Sequence, residues 1–286
     1  MKLTFLCLGT MGYPMAGHLA AAGHDVTVYN RTTARAERWV GEHAGRVAGS
    51  PADAVHDAEV VFVCTGNDDD LRSIVLGESQ VLAAMAPGSI LVDHTTVSAE
   101  IAREIHAAGK ANDIGFLDAP VSGGQAGAEN GQLTVMVGGD AAVFERAAPL
   151  IDLYARKALL MGPSGAGQLT KMVNQICIAG LLEGLSEGLA FAKRAGLDAA
   201  LAVEVISKGA AQSWQMDNRA ATMLEGRFDF GFAVDWMCKD LGIALAEADR
   251  IGADLPVAAL VDRFYAELQG RGAGRHDTSS LITRLP

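Results

Sequence analysis

The hydrophobic pattern of this 286-residue chain changes once, near residue 165, and that change constrains the fold more than any other feature. Before it, short apolar runs closed by glycine or polar residues alternate with helical segments. Such alternation predicts a mostly parallel sheet with helices on both faces. The runs expected to form strands are 3–9, 25–30, 58–66, 88–96, 115–124 and 132–139.

After residue 165 the apolar residues recur with the period of an α-helix. The chain is therefore predicted to consist of an α/β domain of the Rossmann type over residues 1–164 and an all-α domain over residues 165–286. The second domain begins with a long helix at 166–194, and the junction falls in "MGPSGAGQ" (161–168), where glycines permit a sharp turn. The later helices are expected at 198–208, 213–225, 232–251 and 256–270.

The acidic balance of the chain limits its partners. Its formal net charge is −11, which argues against nucleic acids and anionic membranes. No stretch offers about 18 uncharged apolar residues, and the N-terminus lacks the pattern of a signal peptide. We therefore expect no membrane span and a cytoplasmic protein. The four cysteines form no C-x-x-C pair, which predicts neither a metal site nor a disulfide framework; they are Cys7, Cys64, Cys177 and Cys238.

The turn after the first predicted strand, "CLGTMGYPMAGHL" (7–19), is typical of a dinucleotide site, where pyrophosphate binds N–H groups at the start of a helix. Gly9 would let the backbone approach the phosphates, and Gly12 would let the helix pack against the strand. Thr10 and Met11 lie between them. Cys7 stands where the G-x-G-x-x-G motif has its first glycine, which weakens the motif. The alternative is an ordinary strand–turn–helix.

The end of the second predicted strand bears on the choice of cofactor. An acidic residue at this point would bind the ribose 2′-hydroxyl of NAD. Asn30 has no carboxylate that would repel a 2′-phosphate, Arg31 offers a planar cation that can bind one, and Thr32 follows it. These residues favour NADP, with NAD possible, and the alternative is a solvated basic loop.

The long predicted helix carries polar residues on one face near its start. Lys171, Asn174 and Gln175 are spaced i, i+3 and i+4 and therefore share one side of an apolar helix. A buried amine is costly without partners. We expect Lys171 to act as general base or acid in a hydride-transfer reaction, with Asn174 orienting the amine and Gln175 binding substrate. The alternative is a lysine that reaches water or pairs with a carboxylate.

A second glycine-rich segment, "PVSGGQAGA" (120–128), is a candidate carboxylate site. Successive backbone N–H groups in glycine-rich turns form concavities that bind anions. Ser122, Gly123 and Gly124 would supply those groups, and Ser122 adds its hydroxyl. The alternative is a plain loop of the α/β domain.

Four stretches together resemble the β-hydroxyacid dehydrogenase family, which includes 3-hydroxyisobutyrate dehydrogenase and tartronate semialdehyde reductase. They follow the family's order and cover almost the whole chain. The resemblance implies a Rossmann-type domain followed by an all-α domain like that of 6-phosphogluconate dehydrogenase, used for substrate binding and oligomerisation. The stretches are "LGTMGYPMAGHL" (8–19), "DAPVSGGQAGAENGQLTVMVGG" (118–139), "GAGQLTKMVNQ" (165–175) and "FDFGFAVDWMCKDLGIALAEA" (228–248).

The resemblance also assigns roles residue by residue. Lys171 falls on the family's catalytic lysine, and Asn174 and Gln175 fall on the polar pair that follows it. Thr96 matches the threonine that contacts the nicotinamide end, and Lys239 matches a late lysine that reaches the cofactor. The family's substrate-holding Ser-Gly-Gly falls on Ser122, Gly123 and Gly124.

The predicted function is hydride transfer between NADP(H) and a small 3-hydroxy acid or its semialdehyde, in a homodimer or homotetramer. Two alternatives are a catalytically silent nucleotide-binding module and an imine reductase. The sequence departs from the family at Cys7, at His18 and in "CTGNDDD" (64–70), and it leaves the identity of the acid open. A glycine stripe along the long helix indicates either internal packing or a subunit contact; it comprises Gly180, Gly184 and Gly188.

Overall fold

The computed structural model describes residues 1–285, and the chain divides into two compact units, Met1–Lys171 and a second unit that begins at Met172. The predicted mixture of an N-terminal α/β fold and a helical C-terminal part is confirmed.

Within the described residues of the first unit, nine strands form one sheet. Its order is β3-β2-β1-β4-β5-β6-β8-β7, with β9 paired to β8. The strands from β1 to β6 are parallel, whereas β8 runs antiparallel to both β6 and β7. The strands are β1 Lys2–Leu6, β2 Asp25–Tyr29, β3 Arg46–Val47, β4 Val60–Val63, β5 Ile90–Asp93, β6 Gly115–Asp118, β7 Val121–Ser122, β8 Leu133–Gly139 and β9 Ala155–Gly162.

Helices cover both faces of this sheet because its central strands are apolar on both sides. Along β1, Phe5 belongs to one buried cluster together with Trp39, while Leu6 belongs to a second cluster on the other face with Val61. The helices of this unit are α1 Gly12–Ala21, α2 Thr33–Glu42, α3 Pro51–Val55, α4 Asp68–Val75, α5 Val81–Ala84, α6 Ala99–Ala111, α7 Gly124–Glu129 and α8 Ala141–Ile151.

Among the described residues of the second unit, all the elements are helices, joined by turns and loops. Its first helix, α9, spans Ala166–Arg194, so its first turns belong to the first unit. The other helices are α10 Ala199–Ile206, α11 Trp214–Glu225, α12 Val234–Ile251, α13 Pro256–Gly270 and a final 3-10 helix, Thr278–Arg284.

Helix α9 is long and apolar enough to cross a membrane by length and composition alone, and 44% of its most apolar window is buried. The core helix of a soluble protein meets the same test, so this is weak evidence for a span. The glycine stripe on α9 is open: a Cβ placed on Gly184 or Gly188 would meet nothing within 4 Å. Close packing within the chain therefore does not account for glycine at these two positions, whereas a Cβ on Gly180 would lie 3.9 Å from Val257 Cγ1.

The expected run at 115–124 is divided into β6 and β7, because Pro120 between them has no N–H to donate to a ladder. Three elements that follow β7 were not predicted, namely α7, α8 and β9. Strand β9 lies at an edge of the sheet and is largely exposed or half-buried after Ala155, so it lacks the apolar run by which the central strands were recognised.

Candidate functional site

The turn after β1 is the segment predicted to bind a dinucleotide. Cys7 has a φ of 70°, in the left-handed region that favours glycine, so it occupies the first glycine position in conformation as well as in order. A Cβ on Gly12 would overlap the Cys7 carbonyl oxygen and lie 2.8 Å from Phe5 Cε1, so α1 packs against β1 only because residue 12 is glycine. A Cβ on Gly9 would meet nothing within 4 Å, which leaves the backbone there open to a ligand.

The start of α1 is suited to an anion. Met11 is the N-cap residue, and it makes no side-chain hydrogen bond to the first turn. In the first turn of α1, Tyr13 N donates to Gly9 O at 3.0 Å and Pro14 has no N–H. An anion at this terminus would therefore meet the N–H groups that precede Tyr13, and N–H groups at the start of a helix bind phosphate. Burial raises the pKa of the Cys7 thiol to about 11, so this side chain stays neutral beside the turn.

Asn30 joins the ends of β1 and β2. Its Oδ1 accepts from Leu8 N at 2.9 Å, and its Nδ2 donates to Thr32 O at 3.0 Å. The amide thus holds the glycine turn in register with the end of β2, in addition to lacking a negative charge. Arg31 and Thr32 are exposed.

The turn after β5 is held by buried polar groups. Thr95 N donates to Asp93 Oδ1 at 2.9 Å, and Thr95 Oγ1 accepts from Thr65 N at 2.9 Å. Thr96 is half-buried and lies between two buried residues, Thr95 and Val97. The backbone on either side of Thr96 is therefore fixed, which suits a residue expected to contact a cofactor.

The first turn of α9 is fixed to the end of β6 by a buried carboxylate. Asp118 is 0% exposed, its Oδ1 accepts from Gly165 N at 2.7 Å, and its Oδ2 accepts from Gln168 N at 3.0 Å. Burial raises the pKa of Asp118, and the bonds from backbone N–H groups oppose that rise. This cap was not predicted, since 47 residues separate Asp118 from Gly165.

Gln168 connects the same turn of α9 to the Thr95–Val97 turn. Its Oε1 accepts from Val97 N at 3.1 Å and its Nε2 donates to Thr95 O at 2.8 Å, so one side chain bonds the backbone on both sides of Thr96. Lys171 lies three residues further along α9 and is 6% exposed. The structure therefore brings Thr96 and the helix that carries Lys171 into one hydrogen-bonded assembly within the first unit.

The Ser-Gly-Gly segment has the backbone that its glycines allow. Ser122 pairs with Thr134 in β7 and β8, and the next two residues have positive φ values of 132° at Gly123 and 62° at Gly124. Both glycines are exposed. Their assignment to a substrate carboxylate remains a prediction.

A polar network occupies the second unit. Asn174 Nδ2 donates to Gln175 Oε1 at 2.7 Å, Gln175 Nε2 donates to Asp240 Oδ2 at 2.7 Å, and Lys239 Nζ lies 3.1 Å from Asp240 Oδ1. The predicted residues Asn174, Gln175 and Lys239 are thus joined through Asp240, a buried carboxylate that sequence reasoning did not single out. Its position directly after Lys239 was the available signal.

Among residues 1–285, no group of three or more metal-ligating side chains is found. The fold and the glycine turn instead define a dinucleotide-binding protein of the Rossmann class. Two family models cover nearly the whole chain. The NAD-binding domain of 6-phosphogluconate dehydrogenase matches residues 2–162, and the NAD-binding domain of NADP-dependent 3-hydroxyisobutyrate dehydrogenase matches residues 165–285.

Individual relatives agree with these matches. An uncharacterized oxidoreductase of Shewanella frigidimarina is 63% identical over 99% of this chain and 98% of its own length. The 2-hydroxy-3-oxopropionate reductase of Escherichia coli is 34% identical over 100% of this chain and 97% of its own. The structure of Mycobacterium tuberculosis 3-hydroxyisobutyrate dehydrogenase with L-serine has a TM-score of 0.91 and 31% identity, covering 99% of this chain and 98% of that one.

The chain therefore belongs to the 3-hydroxyisobutyrate dehydrogenase family of NAD(P)-dependent β-hydroxyacid dehydrogenases. The family resemblance seen in the sequence is confirmed.

Proposed function

We propose that the protein transfers a hydride between NADP(H) and a small 3-hydroxy acid or its semialdehyde, with Lys171 as the general acid and base. The observation that carries the proposal is the placement of Lys171. Its side chain is 6% exposed, and it lies on a helix whose first turn is bonded to the Thr95–Val97 turn. A buried amine on a helix whose start is fixed in this way suits proton transfer to a substrate oxygen.

In this proposal the residues of the chain transfer the proton and bind the substrate. In the oxidation direction Lys171 Nζ takes the proton from the substrate hydroxyl, and in reduction it returns one to the carbonyl oxygen. Asn174, one helical turn later, orients the amine. Gln175 remains a proposed substrate residue. Its hydrogen bonds to Asn174 and Asp240 also support a role in holding these two side chains in place. When bound, the nicotinamide supplies or accepts the hydride.

The substrate carboxylate is assigned to Ser122, Gly123 and Gly124. Positive φ values at both glycines support a concave backbone whose N–H groups converge on an anion. Two relatives also support a carboxylate-bearing substrate. One is a 2-hydroxy-3-oxopropionate reductase, and the structure of another contains L-serine, which carries a carboxylate and a hydroxyl.

NADP is proposed over NAD because the end of β2 offers Arg31 and no carboxylate. The open backbone at Gly9 and the α1 terminus that Met11 leaves uncapped fit a pyrophosphate in either cofactor. Lys239 is assigned to the cofactor by resemblance alone, and its ion pair with Asp240 shows which carboxylate accompanies it.

The decisive experiment combines a substrate panel with Lys171→Ala. The panel contains 3-hydroxyisobutyrate, glycerate, serine, 4-hydroxybutyrate and the corresponding semialdehydes, each tested with NADP(H) and NAD(H). In Lys171→Ala, kcat should fall by about 10²- to 10⁴-fold while the Kd for NADPH stays the same. Thr170→Val is the matched control, because Thr170 lies next to Lys171 and its hydroxyl bonds only the Ala166 carbonyl among the contacts described. Near-normal kcat in Lys171→Ala would refute the mechanism.

Binding of NADPH without turnover of any panel member would instead support a silent nucleotide-binding module. Turnover of a cyclic imine alone would support an imine reductase.

We further propose that the protein is cytoplasmic and assembles as a homodimer or homotetramer. Large apolar side chains remain exposed along α9, with Val173 at 60%, Leu181 at 47% and Phe191 at 71%. Exposed apolar surface on this scale is typical of subunit contacts. A monomeric mass in solution at micromolar concentration would contradict the assembly.

A further inference from the structure

Two buried polar side chains near Lys171 have no part in the chemistry proposed above. Asp118 and Gln168 are both 0% exposed. The side chain of each forms hydrogen bonds to the backbone of another segment. Buried polar groups that are fully hydrogen-bonded fix a unique local geometry.

The carboxylate of Asp118 occupies a space that two glycines leave open. A Cβ on Gly138 would lie 2.6 Å from Asp118 Oδ1. A Cβ on Gly167 would overlap the carbonyl oxygen of Met136 and would also lie 2.8 Å from Asp118 Oδ2. Neither glycine can carry a side chain without displacing the carboxylate. The pair therefore permits β8 and the start of α9 to close around Asp118, which then accepts from Gly165 N and Gln168 N.

Gln168 uses both ends of its amide on one turn of backbone. It accepts from Val97 N and donates to Thr95 O, and these groups flank Thr96. Rotation of the α9 start about its own axis, or translation along it, would break one of these bonds. Since Lys171 lies three residues after Gln168 on the same helix, the amide also sets the distance and angle between Lys171 and the Thr96 turn.

We propose that Gln168, supported by Asp118, is a positioning residue that fixes Lys171 relative to Thr96. This inference rests on the proposed function, because it gives Lys171 the proton and Thr96 the nicotinamide end. Proton and hydride transfer require their donors and acceptors to be placed together, and a misplacement of about 1 Å can cost about 100-fold in rate.

The test compares Gln168→Met, Gln168→Glu and the control Thr170→Val. Gln168→Met removes the donor and the acceptor at similar length. We expect kcat to fall by about 10- to 100-fold, with little change in KM or in the Kd for NADPH, and a larger primary isotope effect with deuterated NADPH. Thr170→Val should keep the wild-type values, since it removes a hydrogen bond from the same turn without touching the Thr95–Val97 backbone.

Gln168→Glu adds a readout that a purely structural role would not produce. A neutral glutamic acid can donate to Thr95 O and accept from Val97 N, whereas the carboxylate cannot donate. Burial would raise the pKa of the introduced carboxyl. The kcat of Gln168→Glu, divided by that of the wild type at each pH, should therefore rise as pH falls from about 8 to about 5.5. A flat ratio, or a Gln168→Met kcat equal to the wild type, would overturn the proposal.

Hydrogen exchange separates this inference from the proposed function. In Gln168→Met the Val97 amide should exchange at least about tenfold faster than in the wild type, and in Thr170→Val it should not. A wild-type protein inactive on the whole panel, or an active Lys171→Ala, would refute the proposed function. A wild type that is active through Lys171, with unchanged Val97 exchange and unchanged kcat in Gln168→Met, would refute the positioning role alone.

Discussion

His94, the residue after β5, should make the stability of the first unit depend on pH. Its ring is 2% exposed, its Nδ1 bonds Ala119 O at 2.7 Å, and its Nε2 bonds the Tyr154 hydroxyl at 2.9 Å. The carbonyl can only accept, so Nδ1 carries the proton and Tyr154 donates to Nε2. The tyrosine remains a donor because burial raises its pKa well above the ordinary value. A second proton on Nε2 would displace the Tyr154 hydroxyl as donor, so that hydroxyl would have to rotate and accept instead.

Burial lowers the pKa of His94 from 6.5 to about 4. Between these values the unfolded chain binds the proton and the folded chain does not, so stability is fully present above pH 6.5 and is lost as pH falls toward 4. At about 1.4 kcal/mol per pH unit, the full effect is about 3 kcal/mol, of which about 2 kcal/mol should be lost between about pH 7.5 and pH 5.

The assay is urea denaturation of a Trp214→Phe, Trp236→Phe background. Trp39, 0% exposed in the first unit, is then the sole tryptophan and reports on that unit. His94→Gln in the same background is the comparison, because glutamine can donate and accept but does not titrate in this range. Asp118, whose pKa is raised, changes stability in the opposite sense, and it contributes equally to both proteins.

The His94 variant should lose about 2 kcal/mol less than its parent between about pH 7.5 and pH 5. Equal losses would refute the assignment of a neutral buried imidazole. If His94→Gln does not fold, NMR of the histidine ring in the wild type decides the question: the chemical shifts should stay at neutral values down to about pH 5, and titration near pH 6.5 would refute the reasoning.

Two further predictions concern the glycine turn and the cofactor. Cys7→Gly should change the free energy of unfolding by less than about 1 kcal/mol, because glycine accepts positive φ, whereas Cys7→Val should lower it by about 1–3 kcal/mol in denaturation curves. A tolerated valine would contradict the φ argument. Arg31→Ala should raise the Kd for NADPH about tenfold and leave the Kd for NADH unchanged in fluorescence titrations. Arg38→Ala is the control, because Arg38 forms an ion pair with Glu42. Equal weakening of both cofactors would argue against a 2′-phosphate contact.

Local pattern was enough to predict the class of fold. Alternating apolar runs and helices indicated the parallel sheet, and the glycines at positions 9 and 12 indicated the turn after its first strand. Cys7 was recognised as a departure, and the structure shows that it adopts the backbone angle of the glycine that it replaces. These features depend on residues close together in the chain, which is why the sequence reveals them.

The polar contacts around α9 could not be predicted in the same way. Asp118 reaches Gly165 across 47 residues, Gln168 reaches Thr95 across 73, and Gln175 reaches Asp240 across 65. Each side chain is ordinary in its local context, a carboxylate at a strand end or an amide in a helix. Only the fold decides which of these groups meet in the interior.

The cap on α9 also limits how the protein can be divided. A fragment beginning at residue 165, where the sequence pattern changes, would contain the long helix but not Asp118, Thr95 or Val97. Its opening turns would lose the carboxylate that accepts from Gly165 and the backbone that Gln168 bonds, so unwinding in such a fragment should begin there and reach toward Lys171. The isolated helical portion would then carry the lysine without the support that gives it a fixed place.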